Sequence, residues 1–155
     1  MKKNRHWKQG LVLLVLYLVL LTYFLFFAEE MGRRPDPQAG YSYNLILFKE
    51  IRRFIVHRGV LGYKAVALNI VGNVVAFMPF GFILPEVWDQ LNRWYTITCL
   101  GFIFSLCIEL AQLVSRVGSF DVDDLLLNTI GAMVGYFVFV LAKGVWNKYR
   151  GENRK

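Results

Sequence analysis

Apolar residues in this chain gather into four long runs, at 10–28, 65–84, 95–114 and 125–142, with most polar residues between them. At about 1.5 Å of rise per residue each run makes about 27–30 Å of helix, enough to cross the hydrocarbon core of a bilayer. The pattern predicts an all-α integral membrane protein with four transmembrane helices, formed as one domain over residues 1–155. Between the first two runs the pattern changes. Leu47, Phe48, Ile51, Phe54 and Ile55 recur at helical spacing, while Lys49, Glu50, Arg52, Arg53 and His57 take the other face. This predicts a short amphipathic helix lying in the plane of the membrane interface. Pro35 and Pro37 open that connection and disfavour helix around them. Within the second run Pro79 lacks a backbone donor and predicts a kink, and Pro85 marks the run's end. Residues 86–94 form a short connection, which makes the second and third helices antiparallel neighbours.

Composition supports the same class: an apolar fraction of 56% with 16% aromatics exceeds what a small soluble domain can hide. The net charge of +7 resides at the ends of the apolar runs, so it points to anionic membrane lipid and not to a nucleic acid. The first run is longer than a signal-peptide core and carries Phe26 and Phe27 where a cleavage site needs small residues, so it reads as an uncleaved anchor. Four spans place ten Lys and Arg on the side of the two tails and eight on the other. With the tails weighted because they abut spans, both termini are expected in the cytoplasm. Cys99 and Cys107 share one span and read as buried free thiols. His57 reads as part of the wet face of the amphipathic helix, since no second His or Cys stands at a ligand spacing.

The candidate chemistry lies where polar residues enter the runs. Glu109 is the single formally charged residue within the four runs, and a charge at membrane depth is by default functional. Glu109, Gln112 and Arg116 step by three and four, which places them on one helix face; Asn69 and Asn73 share another. Asp121 is an expected N-cap for the fourth helix, with Asp124 in its first turn. Asp124, Asn128, Gly131 and Gly135 fall on one face, and the glycine pair offers a contact for a second copy of the chain. Alternating passage through the membrane brings Asn69, Asn73, Glu109, Gln112 and Asn128 to one depth. Under the expected orientation that is the outer half, beneath Arg116, Asp121, Asp123 and Asp124.

Several motifs resemble the VanZ-like family of bacterial membrane proteins. They are Asn44-Leu45-Ile46 with Phe48, Asn69-Ile70-Val71-Gly72-Asn73, and Phe77-Met78-Pro79-Phe80-Gly81 with Leu84-Pro85. Glu109-Leu110-Ala111-Gln112, Arg116, Asp121-Val122-Asp123-Asp124 and Asn128-Thr129-Ile130-Gly131 complete the ordered set. Leu47 departs from it, standing at the place of a first-loop proline. The resemblance implies a small multi-pass protein of the bacterial cell membrane, akin to one that raises resistance to the lipid-tailed glycopeptide teicoplanin.

Three readings of the polar residues follow. In the first, an outer-leaflet pocket binds a lipid-linked or cell-wall-related headgroup or a lipoglycopeptide. Arg116 there contacts a phosphate or carboxylate, and Asn69, Asn73, Gln112 and Asn128 supply neutral hydrogen bonds. In the second, the protein is an enzyme, with Glu109 as acid or base and Asp121 and Asp124 as partners or as ligands of a divalent metal. In the third, the polar groups tie the helices together, Glu109 pairing with Arg116 or with an asparagine. The spacing leaves binding and catalysis both open; transport has less support, because four spans leave little room for a pathway.

Overall fold

A computed structural model describes residues 7–28, 41–116 and 118–152. Pro35, Pro37 and the flanking Lys2, Lys3, Arg5, Arg154 and Lys155 lie outside the described residues. Four helices are long and apolar enough to cross a membrane: α1 (Trp7–Tyr23), which continues as a π-turn over Phe24–Ala28, α4 (Tyr63–Val87), α5 (Trp94–Ser115) and α6 (Val122–Glu152). The amphipathic segment forms α2 (Lys49–Val56), followed by one turn, α3 (Arg58–Leu61). Gly62, at φ 82°, turns the chain from α3 into α4. Ile51 and Phe54 are the half-buried residues of the expected apolar stripe; Leu47 and Phe48 precede the helix and stay exposed.

The helix ends differ from expectation in two places. Pro85 does not end α4, which runs on to Val87. A proline removes one hydrogen bond, and here the last turn is held by packing: Val87 is buried and its Cγ2 lies 2.9 Å from where a Cβ on Gly10 would stand. Similarly, α6 does not stop with the apolar run at residue 142. Its 31 residues make about 46 Å of helix, more than a bilayer core of about 30 Å, so its last turns carry Lys143, Lys148 and Arg150 beyond the core.

The bundle is built around a seam of small residues between α4 and α6. A Cβ on Gly81 would meet the Ala132 carbonyl oxygen at 1.8 Å, one on Gly131 the Val74 oxygen at 2.2 Å, and one on Gly135 the Met78 oxygen at 2.0 Å. Only glycine lets the two backbones approach this closely. From the third side, a Cβ on Gly101 of α5 would meet the Ala132 methyl at 2.4 Å. Ala132, fully buried, is therefore the point where three helices meet. The glycine pair that offered a contact for a second copy is occupied inside the chain.

Around the seam lies an aromatic and aliphatic core, with Phe80 stacked on Phe104 at 5.0 Å, Phe77 beside it at 5.7 Å, and Leu84, Ile97 and Tyr136 packed below. Against α4, α1 runs antiparallel, and the Tyr17 hydroxyl donates to the Ala76 carbonyl at 2.9 Å. Elsewhere the helices turn apolar side chains outward, such as Leu68, Val71 and Val140, as lipid-facing helices do. Cys99 and Cys107 are free thiols on this outer surface and not in the interior. In a membrane bundle lipid is as apolar as the core, so an apolar run does not foretell burial. Tyr41, Tyr43 and Tyr63 are exposed at one end of the bundle, Trp88, Trp94 and Tyr95 at the other, as aromatic residues gather at both membrane interfaces.

Candidate functional site

At the first of these ends, two short extended stretches meet: β1 (Tyr43–Asn44) pairs in parallel with β2 (Phe120–Asp121), Tyr43 opposite Phe120 and Asn44 opposite Asp121. Two residues per strand carry no periodicity, so the pairing has no signature in the hydrophobic pattern. It places the segment leading into α2 directly over the start of α6.

Three carboxylates hold it there. Asp121 precedes α6, and its Oδ1 accepts the N–H of Asp123 at 2.8 Å, the expected N-cap bond. The same oxygen accepts the Asn44 side-chain Nδ2 at 3.1 Å, and Asn44 in turn receives the Ile46 N–H on its Oδ1 at 3.2 Å. Glu109, 3% exposed near the end of α5, accepts the Asp121 N–H on its Oε2 at 2.9 Å. A backbone donor is thus one partner of Glu109, one that the spacing did not suggest.

Asp123 is the member that sequence reasoning passed over. It is 1% exposed, and its carboxylate accepts the N–H groups of Phe48, Glu50 (2.8 Å) and Ile51 (3.2 Å). These are the first donors of α2, which have no acceptor within the helix. The residue ahead of α2, Phe48, sits in the left-handed region at φ 64° and supplies no side-chain cap. A carboxylate from a distant helix therefore does what a local Ser or Asp does in most helices, and its charge also suits the positive end of the α2 dipole. The clue was the Asp121-Val122-Asp123-Asp124 run, which read as caps for its own helix and as acid–base or metal candidates, but not as a cap for another helix.

Deeper in the bundle the remaining polar residues pair separately. Asn73 of α4 donates its Nδ2 to Asp124 Oδ1 of α6, and Asn128 of α6 donates to the fully buried Ser105 hydroxyl of α5 at 2.9 Å. The Asn128 Oδ1 is buried without a hydrogen-bond partner among the described residues. Gln112 points to another helix, donating to the Leu25 carbonyl at 3.0 Å in the π-turn that follows α1. Half-buried Asn69 makes no side-chain hydrogen bond among the described residues.

Arg116 leaves the helical face on which the spacing placed it. After α5 ends at Ser115, Arg116 takes a left-handed conformation at φ 57°, and its exposed guanidinium lies over the Tyr41 ring, 4.9 Å from the centroid. Glu109, Asp121, Asp123 and Asn44 thus belong to a network across α5, α6 and the β1–α2 segment, with the Asn73–Asp124 pair beside it and Asn128 and Ser105 one turn deeper. Gln112, Asn69 and Arg116 lie apart from it.

Each of these carboxylates already accepts an N–H donor on at least one oxygen, which bears on metal binding. Among the described residues no three His, Cys, Asp or Glu side chains are placed to share an ion. Asp121 already accepts two N–H groups on one oxygen and Asp124 accepts Asn73. This donor set does not fit the divalent metal considered from the Asp-x-Asp-Asp spacing. Surface hollows lie along α2, along α4 beside Gly72, and between Pro79 and Gly135, and these three are lined by residues outside the network.

The sequence model of the VanZ/LLP1 family matches residues 14–143. The chain belongs to the VanZ/LLP1 family. The matched stretch begins within α1, ends at Lys143 of α6 and contains every residue of the network. One curated relative is Protein VanZ of Enterococcus faecium, 24% identical over 86 residues, or 56% of this chain and 50% of that protein. The chain thus spans about half the length of that relative. No solved structure matches.

Proposed function

We propose that this VanZ/LLP1-family membrane protein works at the membrane surface where the β1–α2 segment lies. There it binds a lipid-linked or cell-wall-related headgroup and lowers susceptibility to lipid-tailed glycopeptides of the teicoplanin kind. The observation that carries this reading is the Asp123 carboxylate, which fixes α2 on the bundle through three backbone donors. Burying a carboxylate is costly unless it is fully hydrogen-bonded, and this one serves to hold a surface segment in one position. A bundle that needed only helix adhesion would have no use for such a clamp.

The contacts to the ligand are assigned to the polar ends left outside the network. Arg116 is exposed beside Tyr41, and its guanidinium has a fork of donors for a phosphate or carboxylate. Asn69 has an amide free for a neutral group. With both termini in the cytoplasm, this surface faces outward, where such ligands are met. The test is glycopeptide susceptibility of a bacterium lacking the gene, complemented with the wild type, Asp123→Ala, Arg116→Ala or Glu109→Gln. Protection by the wild type and Glu109→Gln, with loss for the other two, is the expected result. No protection by the wild type refutes the role. Loss with Glu109→Gln in a normally folded protein favours acid–base chemistry instead.

A further inference from the structure

We infer that the outer side of α2 is a binding site for the headgroup of an anionic phospholipid, with the head of its acyl chains against Leu47 and Val56. A hollow of about 480 Å³ runs along this side, lined by Ile46, Leu47, Phe48 and Val56 and by Lys49, Arg52, Arg53 and His57. That volume falls in the usual range for small-ligand sites, about 300–1,000 Å³.

The hollow exists because the chain reverses at Phe48, whose left-handed backbone brings Ile46 and Leu47 alongside the helix they precede. Asp123 holds that turn from behind. Lys49 and Arg52 stand one turn apart, are exposed, and have no ion-pair partner among the described residues. Arg53 is paired with Glu50 at 2.6 Å, and the His57 Nδ1 lies 3.0 Å from the Arg53 carbonyl. Two uncompensated cations therefore face the hollow. The positive end of the helix dipole does not add to them, because Asp123 occupies it.

Charge complementarity selects the occupant. The apolar wall of Ile46, Leu47 and Phe48, each about half exposed or more, stands at the end of the bundle where Tyr41, Tyr43 and Tyr63 are exposed, the level of a membrane interface. A free phosphate would leave that wall in water, and an acidic protein would leave it unmatched to lipid. A phosphodiester headgroup on two acyl chains fills both parts. The inference does not depend on the proposed role in glycopeptide susceptibility.

The test uses native mass spectrometry of the full chain in neutral detergent, with phosphatidylglycerol or phosphatidylcholine added. Phosphatidylglycerol is expected to be retained at least about tenfold more tightly, and the Lys49→Gln/Arg52→Gln pair to weaken it roughly thirtyfold, from about fivefold per surface cation. A control pair at the far end of α6, Lys143→Gln/Lys148→Gln, should leave it unchanged. Equal retention of the two lipids, or equal loss in both pairs, overturns the site. Displacement of the lipid by millimolar inorganic phosphate overturns the lipid assignment.

Discussion

The α4–α6 seam and the polar network at the β1–α2 end solve opposite problems. In the seam, side chains are removed: Gly81, Gly131 and Gly135 let the two helix backbones touch directly. In the network, side chains are added: Asp121, Asp123 and Glu109 supply acceptors to backbone donors at the helix starts and the β1–β2 crossing. A seam of that kind gives a stable bundle without chemistry. A network of that kind gives a fixed surface, and the segment it fixes carries the amphipathic helix α2.

The difference predicts an ordered set of effects. Gly81→Val should be the most damaging, because its Cβ has the Ala132 backbone in its way; a loss of about 3 kcal/mol or more is expected, visible as a collapse of thermal stability in detergent. Asp123→Ala should cost about 2–3 kcal/mol, less than the sum of three orphaned donors because the freed segment can swing into water. Its signature is a selective rise in proteolysis around residues 45–57, with the spanning helices intact. Glu109→Gln keeps an oxygen to accept the Asp121 N–H and should cost about 1 kcal/mol or less in the same melt. Asn128→Leu should have the smallest effect, because it removes one interhelical amide bond of about 0.6 kcal/mol together with an oxygen that has no partner among the described residues. A loss larger than that of Asp123→Ala would mean the deeper pair, and not the surface clamp, is the critical polar contact.

How much was legible in the sequence follows the same division. Spans, their antiparallel order, the amphipathic α2 and the Asp121 cap depend on short-range pattern and can be read from neighbours in the chain. The turns carrying α4 past Pro85 and α6 past Lys143 were hidden because packing at Val87 and helix-tolerant residues outweighed the local stop signals. Glu109 announced itself as a charge in an apolar run, but the backbone N–H of Asp121 that it accepts has no letter in the sequence. Asp123 could not be assigned for a similar reason: its three donors lie more than seventy positions earlier, and any residue can supply them. Arg116 was misplaced because a helical face was extended one residue beyond the end of the helix.

The most direct test of the clamp is amide hydrogen exchange at Phe48, Glu50 and Ile51 in a lipid bilayer, comparing the wild type with Asp123→Ala. Slow exchange at all three in the wild type, rising sharply in the variant while amides of α4 and α6 around the glycine seam stay protected, is the predicted result. Equal exchange at these positions in both proteins would contradict it, and the buried carboxylate would need another purpose.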